Sequence, residues 1–181
     1  MRPVQTLLLL CFLLLPFFRA EAGVPLQLEL SGATVFPVGS WGQHLSSGLS
    51  ASLGATWRAT RSLGAGLLLE GEIYSSSGAL EASLTRLSTM AQFSAFLRPG
   101  SPSFSPGIVL ALGITRSDLS SGAGEDPPTW DPSWRAGVRW GFSLGGGFRC
   151  RTGFDFGGVM AEGADGDYFD MRLGLVREVS L

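Results

Sequence analysis

Residues Trp134 to Phe156, WRAGVRWGFSLGGGFRCRTGFDF, alternate apolar and polar with a period of two. Their even positions are Trp134, Ala136, Val138, Trp140, Phe142 and Leu144, then Phe148, Cys150, Thr152, Phe154 and Phe156. Their odd positions are Arg135, Gly137, Arg139, Gly141 and Ser143, then Arg149, Arg151, Gly153 and Asp155. Successive side chains of a strand point to opposite faces, so the pattern predicts two strands, each with one apolar and one Gly/Ser/charged face. Gly145-Gly146-Gly147 between them supplies the positive φ angles of a tight hairpin turn. A soluble antiparallel sheet also alternates. Here, however, the polar face mixes glycine with arginine, which suits a crowded closed interior, and the apolar face carries aromatics near both ends, as at two membrane interfaces. The stretch reads as one hairpin of a transmembrane β-barrel.

Working outward, the N-terminus has the layout of a secretory signal. Arg2 is the charged region, Leu7 to Phe18 the apolar core and Ala20-Glu21-Ala22 a small-x-small cleavage site. Residues 1–22 are therefore expected to be a cleaved signal peptide, and residues 23–181 an outer-membrane β-barrel domain. The apolar run is shorter than the ~20 residues a spanning helix needs. Cleavage leaves 181 − 22 = 159 residues, with 13 − 2 = 11 basic and 15 − 1 = 14 acidic side chains, a balance of −3. That balance gives no electrostatic footprint for nucleic acid. Every basic residue is arginine, the cation suited to paired, poorly hydrated sites. With Cys11 removed, Cys150 has no partner for an intramolecular disulfide.

The alternation returns along the whole remaining chain. Strands are expected near Leu26–Phe36, Gly48–Arg58, Leu63–Tyr74, Leu84–Leu97 and Gly107–Arg116, then the quoted hairpin, then Tyr168–Leu181. Leu68 and Gly71 break the chemical pattern of the third. Eight segments of about ten residues match the length of tilted membrane strands. Connections are expected at Pro37–Ser46, from Ser75 to Gly78 or slightly beyond, at Ser117–Ser133 (the longest) and at Gly157–Gly166 on one side. Short turns are expected on the other, including Thr60-Arg61-Ser62 and Arg98-Pro99-Gly100-Ser101-Pro102. Long external loops and short periplasmic turns are the rule for such barrels.

The export signal, eight alternating strands, Gly-rich inner face and hydrophobic C-terminal residue together resemble the small outer-membrane β-barrels of the OmpA/OmpX type. The resemblance covers the whole mature chain. It implies an all-β, eight-stranded antiparallel up-and-down transmembrane barrel in the bacterial outer membrane. It further implies a monomer bathed in outer-membrane lipids and lipopolysaccharide and inserted by the barrel-assembly machinery. The chain departs from the family in ending Val179-Ser180-Leu181 rather than on an aromatic residue.

Inward positions of this pattern carry charge. Shifting a strand by one residue would swap its faces and place arginine in lipid at ~2–4 kcal/mol each. An eight-stranded barrel has an interior just wide enough for side chains to fill. Glu29, Glu70, Glu72, Arg86, Arg135, Arg139, Arg151, Asp155, Asp170 and Arg172 are thus expected to form a lumen charge network, with Arg58 and Arg149 also inward. If the Gly-rich turn centres on Gly146, Gly137 lies opposite Asp155, with Arg135 and Arg139 diagonal to it. Glu70 and Glu72 are expected to reach Arg86. The network is either a plug or a narrow ion path, and the small bore favours the plug.

No enzyme motif emerges. His44, the single histidine, and Ser75-Ser76-Ser77 fall in external connections, but no acid beside the serines completes a relay. Asp165, Asp167 and Asp170, with Glu125, Asp126 and Asp131, supply oxygen ligands without the spacing of a calcium loop. Gly145-Gly146-Gly147 lacks the flanks of a phosphate loop. No catalytic residue, metal or cofactor is expected. A non-enzymatic envelope barrel leads, ahead of a narrow channel and a lipid-A-modifying enzyme.

Overall fold

The structure is a computed structural model and describes residues 26–60, 62–76, 82–97, 104–121, 124–125, 127–161 and 164–179. The expected signal peptide, residues 1–22, lies outside the described residues. Eight long strands run in chain order: β1 Leu26–Pro37, β2 Gly48–Arg58, β3 Leu63–Ser75, β4 Ala82–Phe96, β5 Ser105–Ser121, β6 Thr129–Gly145, β7 Phe148–Ala161 and β8 Ala164–Val179. Each pairs antiparallel with its neighbours in sequence, and β1 pairs with β8 from Leu26↔Val179 to Pro37↔Tyr168, closing the sheet. The fold is an all-antiparallel, eight-stranded up-and-down β-barrel. A two-residue segment, Gly124–Glu125, pairs with the end of β5, and Trp41–Gln43 form one 3-10 turn between β1 and β2. No described helix is long and apolar enough to cross a membrane.

Closure without an edge satisfies every strand's backbone groups internally, as a lipid-embedded sheet requires. The exterior then tolerates a continuous apolar coat. Leu30, Leu49, Leu67, Ile73, Leu110 and Leu173 all stand exposed on it, as does Cys150 at partial exposure. Outward aromatics join into an oblique ladder across four strands. Trp140 meets Phe154 at 5.8 Å, Phe154 stacks on Phe169 at 5.7 Å, and Phe169 reaches Phe36 at 6.4 Å.

The Gly-rich turn sets the register of the β6–β7 hairpin. Gly145, Gly146 and Gly147 all have positive φ, at 85°, 61° and 79°, which a residue with a Cβ adopts only under strain. A register shift between Ser143 and Gly145 absorbs one residue at the turn, and Gly137 falls opposite Asp155. In β3 the two residues that break the chemical pattern keep the geometric one. Leu68 points inward at 2% exposure, and Gly71 takes an outward position.

Two connections expected as loops are largely strand. Ser117 pairs with Thr129, so β5 and β6 run through most of Ser117–Ser133. Likewise β7 and β8 continue through Gly157–Gly166 until Ala161 faces Ala164. Backbone pairing needs no apolar outer face once a ribbon passes beyond the bilayer, so membrane-type alternation ends before the hydrogen-bonded ladder does.

Candidate functional site

Among the described residues, ionisable side chains converge in the barrel interior. Because inward positions recur at every second residue, β1, β3, β4, β6, β7 and β8 each aim charged groups at the same axis. Glu29, Glu70, Glu72, Arg86, Arg135, Arg139, Arg151, Asp155, Asp170 and Arg172 all lie inside and all are buried. Arg86 and Arg135 head the bulkiest fully buried side chains of the described residues, with Tyr74 and Tyr168 next.

At mid-lumen the contacts form one connected set. Arg172 is the hub. Its Nη2 donates to Glu70 and, at 2.9 Å, to Asp170 Oδ2; its Nε faces Asp155 Oδ2 at 3.3 Å. Its Nη1 donates to the hydroxyls of Ser52 and Ser31 at 2.7 and 3.2 Å. Arg135 donates to Glu70 and, at 3.1 Å, to the Tyr168 hydroxyl. Arg139 bridges Asp155 Oδ2 at 2.7 Å and Glu29 Oε1 at 3.2 Å, and Glu29 in turn accepts from Arg151. Glu29, Glu70, Asp155 and Asp170 thus each face two or more guanidiniums, the arrangement that offsets the several kcal/mol cost of desolvating each ion.

Above this set, Glu72 pairs with Arg86 at 3.0 Å and accepts from the Tyr74 hydroxyl at 2.9 Å. Arg86 also lies 5.2 Å from the Tyr168 ring centroid, within cation–π range. Tyr74, Tyr168, Val35 and Leu84 then close over the charges as an apolar cluster, with Leu45 packed on it. A second apolar group, Leu68, Met90 and Ala111, lines the β3–β5 side of the lumen.

The pairing differs from the expected one at Glu70. Of the two glutamates expected to reach Arg86, Glu72 does so, while Glu70 turns across the lumen to Arg135 and Arg172. Strand order predicts neighbours within a hairpin. It does not predict which far wall a side chain meets after closure. Tyr74, Gln27 and Glu178 also enter the network without having been singled out in the sequence. Their inward parity was the available signal. Gln27 Nε2 donates to Glu178 Oε1 at 2.9 Å, and Glu178 lies 3.6 Å from both Arg58 and Arg149.

The external candidates stay apart. His44 is exposed just after the 3-10 turn, whereas Ser75 Oγ lies 2.9 Å from Ser46 Oγ. Asp170 is inside the barrel with Arg172, Asp131 accepts from Thr129 at 2.8 Å, and the side chains of Glu125, Asp126 and Asp165 lie outside the described residues. Among the described residues no group of three or more His, Cys, Asp or Glu side chains has metal-binding geometry.

Neither protein-family models nor curated protein sequences give a match to the chain. Solved structures do. Neisserial surface protein A superposes with a TM-score of 0.65 at 12% identity, covering 85% of this chain and 97% of that one. The N-terminal β-barrel domain of Pseudomonas aeruginosa OprF gives 0.58 at 11%, covering 88% and 100%. Ail, the attachment invasion locus protein of Yersinia pestis, gives 0.56 at 12%, again covering 88% and 100%. At such identity the likeness is one of fold: the chain has the architecture of the small eight-stranded outer-membrane β-barrels.

Proposed function

We propose that this protein is a non-enzymatic barrel of the bacterial outer membrane, exported by a signal peptide cleaved after Ala22. Its lumen is closed by paired charges, and it serves envelope integrity or presents its external ribbons to partners. Outer-membrane lipids and lipopolysaccharide surround it, the barrel-assembly machinery inserts it, and it works as a monomer without cofactor. The observation that carries this reading is the contrast between the two faces. Leucines coat the outside, while Glu70, Arg135 and Arg172 are locked together at almost zero exposure inside. A solute path needs hydrated, unoccupied cross-section, and side chains of this bulk in so narrow a barrel leave little of it.

Planar-bilayer recording of the refolded chain tests the proposal. Rare, small conductance steps are expected. Large, steady conductance from the unaltered protein would replace the plug with a channel. In cells, the protein should fractionate with the outer membrane and have an intact mass beginning at Gly23. A His44→Ala variant should leave lipid A unaltered.

A further inference from the structure

The lipid-facing row of β8 carries charge at both of its ends. Its outward positions run Asp167, Phe169, Met171, Leu173, Leu175 and Arg177, with apolar side chains filling the interval. From Asp167 to Arg177 is 177 − 167 = 10 residues, or ~33 Å of strand, and a tilt of ~40° brings its height to about 25 Å. That is the height of the apolar band of an outer-membrane barrel. Arg177 therefore stands at headgroup level, on the rim where β1 begins and β8 ends. Aromatic side chains mark nearly the same level. Trp57 pairs with Leu26, which pairs in turn with Val179, and Phe104 meets Phe142 at 5.8 Å.

Arg177 is built into this rim. Its direct cross-strand partners are Phe148 of β7 and Leu28 of β1. Its guanidinium carbon lies 5.3 Å from the centroid of the Phe148 ring, within cation–π range. The next residue, Glu178, donates its backbone N–H to Gly147 O at 2.9 Å, which ties the end of β8 to the Gly-rich turn that leads into Phe148. The guanidinium is thus backed by a ring whose position the turn fixes. Its N–H donors spread in the plane of the group and keep the fork that matches a pair of phosphate oxygens. The side chain of Glu178 has the opposite parity and faces Arg58 and Arg149 instead.

We infer that Arg177, backed by Phe148, binds the headgroup phosphate of an anionic phospholipid. The position selects a lipid over a soluble anion. Leu28 and Leu175 continue the outer face from Arg177 at 42% and 45% exposure, so a ligand with its phosphate on the guanidinium lays its acyl chains along an apolar wall. A zwitterionic headgroup brings its own cation to the phosphate and gains less from the arginine. Toward the opposite rim the lipid-facing Arg116 differs, because Asp118 already holds it at 3.1 Å. The inference rests on the proposed outer-membrane placement, which makes the supplying leaflet the periplasmic one.

The test uses the full chain refolded in a maltoside detergent and mixed with equal amounts of dimyristoyl phosphatidylglycerol and dimyristoyl phosphatidylethanolamine. Native mass spectrometry reads which lipid stays bound. Phosphatidylglycerol should be retained in preference. Arg177→Gln should lower its retention about fivefold, the factor for one basic residue at an anionic surface. Arg177→Lys, which keeps charge but loses the fork, should fall between. Phe148→Leu should lower retention about twofold, and Arg116→Gln should leave it unchanged. Gel mobility of unheated samples confirms that each variant is folded. The inference is overturned if the two lipids are retained equally, or if Arg177→Gln retains as much as wild type. It is also overturned if Arg116→Gln loses as much as Arg177→Gln, or if inorganic phosphate at the lipid's concentration displaces the lipid. Cell fractionation reads the placement separately. A chain that retains phosphatidylglycerol through Arg177 but is absent from the outer membrane would refute the placement alone.

Discussion

A Cβ placed on Gly137 would collide with Asp155 Oδ1. The two residues are direct cross-strand partners, and the missing side chain is what lets the carboxylate lie over the β6 backbone between Arg139 and Arg172. Gly137→Ala should therefore push Asp155 off its partners and destabilise the barrel by about 1–3 kcal/mol. Gly71 provides the control. Nothing lies within 4 Å of a Cβ there, so Gly71→Ala should be neutral or stabilising by up to ~1 kcal/mol. Urea unfolding in detergent measures both, and equal effects would contradict the geometry.

Arginines in the lumen should not be equivalent. Arg172 contacts three carboxylates, Glu70, Asp155 and Asp170, and donates to two serine hydroxyls, whereas Arg139 contacts two carboxylates, Asp155 and Glu29. Breaking a buried pair typically costs ~3–5 kcal/mol. Arg139→Ala should fall at the low end of that range and Arg172→Ala at the high end or beyond. In planar bilayers both variants should show more frequent or larger conductance steps than wild type, since water entering the vacated space opens a path. Unchanged stability and conductance in Arg172→Ala would remove it from the network.

Outward positions should respond to charge in the opposite sense. Leu30 pairs with Leu53 on one side and Leu175 on the other, midway along its strand. Leu30→Arg should cost ~2–4 kcal/mol in a bilayer. The same substitution assayed in a loose detergent micelle should cost less, because the guanidinium reaches water there. Comparison of unfolding in vesicles and micelles reads the difference.

External protease should spare the ribbon formed by β5 and β6. Ser117 to Ser121 and Thr129 to Ser133 are parts of these strands, and their backbone groups are engaged in pairing. Cleavage of intact cells is expected between residues 121 and 129, and mass spectrometry of the fragments locates it. Cuts within Arg116–Leu119 would mean that the ladder opens there.

The facing of almost every side chain was legible in the sequence, because a period of two survives wherever one face meets lipid. Even Leu68 obeyed it. Its apolar chemistry disguised an inward position, since the lumen holds an apolar patch with Met90 and Ala111 as well as charges. Two things were not legible. The ribbons beyond the bilayer keep their hydrogen bonds without keeping the pattern, so Gly- and acid-rich strand ends resembled loops. Partners across the lumen depend on how the closed sheet folds back on itself. Glu70 therefore meets Arg135 and Arg172, 65 and 102 residues away, rather than Arg86 across its own hairpin.

Closure of β1 on β8 sets Leu26 opposite Val179. The seam joining the first strand to the last has the same antiparallel ladder as the seven others, so nothing in the sheet itself marks where the chain begins. A circular permutant with these two ends joined by a short linker, and new termini opened between Gly146 and Gly147, would contain the same eight strands, neighbours and register. In the closed sheet the seam between β1 and β8 is one of eight antiparallel seams around a ring.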